Sequence, residues 1–324
     1  MSDIKLFRLT SGKTQELQSN ASYLERPLQR LIESNLDALL GVHFLASEYT
    51  FSDGRIDTLG LDENNCPVII EYKRSLGENI INQGLFYLHW LLDHKAEFRF
   101  LVMDKLSDEL ARTIDWSQPR LLCIANNFTR YDEHAIQQID HAIELIRYRH
   151  FGSDLLLLEL LNTPQRRNSA PKTSSNKALS VHSTDAPQED AELSPDTTAR
   201  ARTQSGRGPD KSFAEILETL QPSLRELVNS LDDYMLSLGD DVQHNELRLY
   251  VAYKKLRNFA TLVLQRRRLL LYLHLDSDTF DHLPNNAFDA RLRMHWGTGN
   301  LGFTIENKND FDAAKPFIQS AYQK

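Results

Sequence analysis

The stretch Gly54–Arg74, GRIDTLGLDENNCPVIIEYKR, reads as two apolar strands joined by a hairpin whose tip is Asp62, Glu63, Asn64 and Asn65. Side chains alternate across a strand, so Glu71 and Lys73 share a face with Ile69, while Val68, Ile70 and Tyr72 point the other way. Asp57 lies on the first strand. Two carboxylates and a lysine at the end of buried strands are costly to desolvate. Such a group persists where it holds a hard cation and does chemistry. In a chain with 25% charged residues, chance matches to an Asp followed by Glu-x-Lys are common. The hairpin adds what the bare pattern lacks, because it brings both halves together. The plainer alternative is a salt bridge between Glu71 and Lys73, with Asp57 capping a turn.

Outward from the hairpin, Pro27 marks a helix start near Leu24–Pro27, since proline is tolerated only in a first turn. Leu28, Leu31, Ile32, Leu36, Leu39 and Leu40 then follow a helical period. Glu25 sits in the first turn of this helix, with Glu33 and Glu48 as rival acids. Strands are expected near 43–51, 55–61 and 67–73, a helix over about 78–93, and strands near 98–103 and 120–125. A helix near 132–140 and strands near 143–150 and 155–161 complete the first half. The order predicts an α/β fold, a mixed sheet flanked by helices. On the helix after the hairpin, Gln83 and Tyr87 lie four apart and project from one face. Trp90 is expected to pack on the sheet.

Residues 164–210 are rich in Ser, Thr, Pro, Ala, Gln and charge and read as a flexible linker. They divide the chain into a domain over 1–163 and a smaller α+β domain over 211–324. That second domain is expected to hold helices near 213–220 and 223–237, and strands near 247–253, 259–264 and 269–275. A strand pair around His295–Asn300 and a terminal helix near 310–322 follow.

The 324 residues carry a net charge of −8, and residues 1–164 alone account for −8. The excess acid thus lies where cations would be held, and it is only a mild argument against nucleic acid. Two isolated cysteines, Cys66 and Cys123, form neither a disulfide framework nor a zinc pattern, so a cytoplasmic setting is expected. The N-terminus lacks a signal-peptide layout, and no apolar run is long enough to cross a bilayer, which argues against a transporter or a membrane partner.

Taken together, Glu25, Asp57, the Glu71/Lys73 pair and Gln83/Tyr87 resemble the motif set of the PD-(D/E)XK nuclease superfamily. More closely, residues 22–102 are similar to the catalytic domain of EndoMS/NucS-type endonucleases. The resemblance implies a restriction-endonuclease-like fold and a metal-dependent endonuclease cutting nucleic acid, DNA ahead of RNA. It assigns Asp57, Glu71, Lys73, Gln83 and Tyr87 to catalysis. Glu25, Asp57, Glu71 and the carbonyl of Tyr72 would hold Mg²⁺ or Mn²⁺. The chemistry suits those residue types. Mg²⁺ takes oxygen ligands and keeps several waters, and a cation offsets charge as water attacks a phosphodiester. Lys73 would orient or deprotonate that water or stabilise the developing charge. The family's N-terminal DNA-binding and dimerising domain is missing, so its mismatch specificity is not implied.

The segment Leu247–Leu275 interleaves Lys254, Lys255, Arg257, Arg266, Arg267 and Arg268 with Tyr250, Tyr253 and Phe259. With HWGTGN and the ending AAKPFIQSAY, it resembles an uncharacterised C-terminal domain attached to this nuclease type, in proteins sometimes labelled as transport proteins. Basic residues beside aromatics suit backbone neutralisation and stacking, whereas a solvated basic hairpin turn is the plainer reading. A homodimer or a protein partner through this domain stays open. The leading expectation is an endonuclease with a C-terminal targeting module. The alternatives are a non-catalytic nucleic-acid-binding protein on the same scaffold, and an adaptor whose carboxylates bind structural metal.

Overall fold

A computed structural model describes residues 4–20, 25–73, 80–152, 154–161, 211–291 and 298–324. The expected linker over 164–210, Arg74, and His295–Gly297 lie outside the described residues. The chain opens with an antiparallel hairpin of β1 (Leu6–Thr10) and β2 (Lys13–Leu17), which the sequence pattern did not announce. A seven-stranded mixed sheet follows. It comprises β3 (Ser19–Asn20), β4 (Val42–Phe51), β5 (Gly54–Asp62), β6 (Pro67–Lys73), β7 (Arg120–Ala125), β8 (Ala142–Phe151) and β9 (Leu155–Leu160). The order is β3-β8-β7-β6-β5-β4, with β9 on β8. Strands β4, β5 and β6 pair antiparallel, whereas β6, β7 and β8 run parallel. Parallel strands covered on both faces read as near-continuous apolar runs, and β7 is buried at every residue.

Helices α1 (Glu25–Glu33) and α2 (Leu36–Leu40) cover one face, where Leu28, Ile32, Leu36 and Leu40 pack on Val68, Ile70 and Tyr72. On the other face, α3 (Ile80–Asp93) packs Ile80, Ile81, Leu88 and Leu91 on Leu59, Leu61, Ile69 and Leu121. The expected alternation of β6 side chains is therefore observed. Gly84 lets α3 lie close on β7, since a Cβ there would sit 2.5 Å from a methyl of Leu121. Next come α4 (Lys95–Lys105), α5 (Asp108–Arg112) and α6 (Arg130–Gln137).

Several expectations need correction. Residues 98–103 are not a strand but part of α4. In that apolar run Phe98 and Val102, four apart, are buried, while Phe100 and Met103 are exposed, which is a helical pattern. Leu31 is exposed rather than buried, and the expected long helix breaks at Ser34–Asn35. There α2 ends on Gly41 at φ +62°, whose N–H donates to the Asp37 carbonyl. The expected strand over 247–253 begins only at Val251, because Leu247 N–H donates to the Tyr250 carbonyl and closes a turn.

The C-terminal residues form α7 (Phe213–Thr219), α8 (Pro222–Ser237) and a six-stranded antiparallel sheet closed by α9 (Lys308–Gln323). Its strands are β10 (Gln243–Glu246), β11 (Val251–Lys254), β12 (Asn258–Gln265), β13 (Arg268–Leu273), β14 (Ala287–Asp289) and β15 (Leu301–Ile305). The described residues up to 161 and those from 211 onward form one compact unit. At the tip of the β5–β6 hairpin Asp62 and Asn64 are buried, and Glu63 and Asn65 are partly buried. Asn258 Nδ2 donates to Asn64 Oδ1 at 2.8 Å, and Arg257 Nη2 to Glu63 Oε1 at 3.2 Å.

Candidate functional site

Strands β5 and β6 pair from Leu61↔Pro67 to Thr58↔Ile70, and there the ladder stops. The next partners would be Asp57 and Glu71. Instead each side chain takes a backbone N–H that the parted strands release. Asp57 N–H donates to Glu71 Oε1 at 3.2 Å, and Tyr72 N–H donates to Asp57 Oδ2 at 3.0 Å. A buried backbone donor must find a partner, so the parting of the strands fixes both carboxylates in place. Asp57 is 7% exposed and Glu71 is fully buried.

The second oxygen of Glu71, Oε2, is buried without a hydrogen-bond partner. Burial, reinforced by the charge of Asp57, pushes the Glu71 carboxyl up to about 9. Burial also raises Asp57, against the opposing pull of the Tyr72 N–H and Lys73. Two carboxylates this close share their titration, and the pair retains a proton at neutral pH unless a cation arrives. Lys73 acts favourably on both acids.

On the α1 side a second set of polar groups steadies Asp57. The buried Gln29 amide donates to the Asp57 carbonyl at 3.0 Å, and to Glu33 Oε1 at 3.0 Å. Thr58 Oγ1 donates to Glu33 Oε1 at 2.6 Å. Glu48 lies on β4 between the pairs Ser47↔Thr58 and Tyr49↔Ile56, its charge raises Asp57 further, and it ion-pairs with Arg55 at 2.7 Å. Sequence reasoning missed Gln29 as a site residue. The available signal was a glutamine between Leu28 and Ile32, four residues before a glutamate.

On the α3 side, Gln83 Nε2 donates to the Tyr87 hydroxyl at 2.8 Å. Tyr87 is buried edge-on to Phe51, with ring centroids 5.7 Å apart. Trp90 stacks on Phe51 at 4.5 Å, which is the packing role expected for it.

The fold thus brings Asp57, Glu71 and Lys73 together and sets Gln83 and Tyr87 against each other on the neighbouring helix. Glu25 is the first residue of α1. Among the described residues, no group of three or more His, Cys, Asp and Glu side chains is arranged to hold a metal ion. Two adjacent carboxylates with one orphaned oxygen nonetheless fit a hard divalent cation, because Mg²⁺ is held by as few as one or two carboxylates with water and substrate phosphate. Among the described residues, no helix is long and apolar enough to cross a membrane.

No known family model matches the chain. Of solved structures, an EndoMS complex with double-stranded DNA is 19% identical, with a TM-score of 0.24 over 41% of this chain and 47% of that one. A repair endonuclease from Pyrococcus abyssi is 14% identical, with a TM-score of 0.26 over 40% of this chain and 50% of that one. This chain therefore matches about half the length of each. An uncharacterized protein of Haemophilus influenzae is 30% identical over 320 residues, 98% of this chain and 99% of its own length. The chain belongs to the same family as that Haemophilus influenzae protein.

Proposed function

We propose that this protein is a divalent-metal-dependent endonuclease that hydrolyses phosphodiester bonds of nucleic acid, DNA ahead of RNA. One observation carries the reading: Glu71 Oε2 is buried and unpartnered beside Asp57 and Lys73, where β5 and β6 part. A buried carboxylate oxygen set beside a second carboxylate is costly to leave unmatched, and a divalent cation would complete it.

In this reading Asp57 and Glu71 hold Mg²⁺ or Mn²⁺, with the Tyr72 carbonyl and Glu25 as further oxygen donors. The bound ion supplies positive charge against the phosphate and lowers the pKa of water. Lys73 orients the attacking water and takes its proton, or offsets the charge that develops on the phosphate. Gln83 and Tyr87 hold the scissile phosphate by hydrogen bonds that add no charge. In this reading a nuclease-like domain over 1–163 is combined with a C-terminal domain over 211–324. The latter presents Arg266 and Arg267 at the exposed β12–β13 turn for target recognition.

A non-catalytic nucleic-acid-binding role is favoured by one observation: among the described residues, no three His, Cys, Asp or Glu side chains are arranged to hold a metal ion. One experiment separates the two. Purified protein is offered labelled single-stranded, duplex, branched and mismatched DNA, and RNA, with Mg²⁺ or Mn²⁺. Cleavage by wild type and none by Asp57→Ala is the expected result, with the variant's circular dichroism unchanged. Every substrate left intact with either metal leaves the non-catalytic role.

A further inference from the structure

Behind Asp57, on the α1 side of the sheet, lies a cavity of about 250 Å³ that the proposed chemistry does not use. Its walls are Arg26, Gln29, Arg30, Glu33, Ser47 and Glu48. The groups nearest the sheet are already engaged. Gln29 donates to the Asp57 carbonyl and lies 3.3 Å from Ser47 Oγ, Glu33 accepts from Thr58, and Glu48 is paired with Arg55. The arginines are not. Arg26 and Arg30 lie four apart on one face of α1, both exposed, and among the described residues neither is in an ion pair.

Two guanidinium groups with no ion pair among the described residues therefore rim a cavity in which Glu48 is paired with Arg55 and Glu33 is held by the neutral donors of Gln29 and Thr58. The β4 backbone is also unusual here. Glu48 sits at φ +52°, in the left-handed region that a glutamate seldom adopts, between Ser47 and Tyr49, which pair with Thr58 and Ile56 on either side of Asp57. Backbone held in such a conformation clusters at ligand sites.

We propose that this cavity seats a backbone phosphate of the bound nucleic-acid strand, next to the one that is cut, with Arg26 and Arg30 as its cationic clamp. The inference deepens the nuclease reading and rests on it for the identity of the ligand. A guanidinium presents a planar fork that matches phosphate oxygens, and arginine serves this purpose better than a point charge. Gln29 makes the seat more than a surface patch. The side chain that walls the cavity also bonds the main chain of Asp57, so a phosphate placed here is registered against the catalytic carboxylates through one hydrogen bond. Contacts of this kind fix register without reading sequence, which suits an enzyme that must hold the strand on both sides of the reacting bond.

The test is binding without chemistry. Anisotropy of a labelled oligonucleotide is titrated in EDTA across a salt series with wild type, the double variant Arg26→Gln/Arg30→Gln, and a charge-matched control, Arg99→Gln/Arg112→Gln, whose arginines are exposed elsewhere. The clamp variant is expected to bind roughly tenfold more weakly at low salt, with the slope of log K against log salt flatter by about 1, as for one lost phosphate contact. The control should match wild type. Equal losses in both variants, or wild-type affinity and slope in the clamp variant, overturn the seat. So does a wild-type protein that does not bind at all. Cleavage is read separately. If wild type binds through these arginines yet cuts nothing with Mg²⁺ or Mn²⁺, the seat stands and the nuclease reading falls. If it cuts normally with the clamp variant unimpaired in binding, the reverse holds.

Discussion

Buried charge is handled in opposite ways at the two ends of the central sheet. At the end facing the C-terminal sheet, Arg120 binds Asp62 at 2.9 Å and Glu144 at 2.8 Å, and Lys254 reaches Glu144 at 2.7 Å. All four side chains are at most 3% exposed, and two cations meet two anions. Burial alone would raise the Glu144 carboxyl, but Arg120 and Lys254 overcome it and hold it at about 2. At the other end Asp57 and Glu71 face each other, one oxygen has no partner, and Glu71 is pushed up to about 9. The first group is closed: every charge has an opposite within the protein. The second is open, and it stands at the carboxyl end of β6, where ligands of parallel sheets bind. Under the proposed function, what separates the two clusters is not burial, which both share, but whether the protein completes them.

The largest effect should come from the open end. Lys73→Ala is expected to cut single-turnover cleavage by on the order of 10³-fold, the scale of a lost acid–base or charge-stabilising group. A melting temperature that falls in step with activity would instead make Lys73 a structural partner and erase the contrast. The closed end should respond in stability. Removing one member of a buried pair leaves the others uncompensated, so Arg120→Ala is expected to cost about 3–5 kcal/mol in urea denaturation. Cleavage per folded molecule should be unchanged. An unaltered denaturation midpoint would show that water reaches the cluster.

The open end was far more legible in the sequence than the closed one. Asp57, Glu71 and Lys73 lie within seventeen residues on strands whose period of two is plain, so alternation alone sets Glu71 and Lys73 on one face. The closed end joins Lys254 to Glu144, 110 residues away, and Asn258 to Asn64, 194 away. No local period carries such information. The same holds for Gln29, whose burial depends on a carbonyl 28 residues on. Helix α4 was misread for another reason: the run Phe98–Met103 satisfies an apolar strand as well as a helix, and only tertiary packing chooses Phe98 and Val102.

Titration gives a smaller and sharper contrast. Because folding raises Glu71 from its ordinary 4.5 to about 9, the metal-free protein keeps a proton that the unfolded chain releases. Its contribution is full below about pH 4.5 and is lost as pH rises towards about 9. Glu144 behaves in reverse, lending stability above about 4.5 that is lost as pH falls towards about 2. Glu71→Gln should therefore flatten the alkaline side of the stability profile, with a gain of about 1–3 kcal/mol near pH 8, a heavily discounted share of the ~1.4 kcal/mol that each pK unit represents. Mn²⁺ should raise the melting temperature of wild type at that pH and leave the variant unmoved. A Glu71→Gln profile that still falls across the same pH range would place the raised acid elsewhere.

The smallest effect concerns Tyr87, where packing and chemistry compete to explain one residue. Its ring is accounted for by burial against Phe51 and by Gly54, where a Cβ would come within 2.7 Å of Tyr87 Cε1. Its hydroxyl is not. The Gln83 amide donates to that oxygen, which leaves the phenolic proton free to be given to another acceptor. Tyr87→Phe keeps the ring and removes only this group, so stability should fall by about 1 kcal/mol, the net worth of one hydrogen bond. If the hydroxyl serves a phosphate, cleavage should fall by about tenfold with substrate affinity nearly unchanged, as for an interaction made in the transition state. If only stability moves, the α3 pair belongs with Arg120 and Glu144 on the structural side, and the open end reduces to the three groups on β5 and β6.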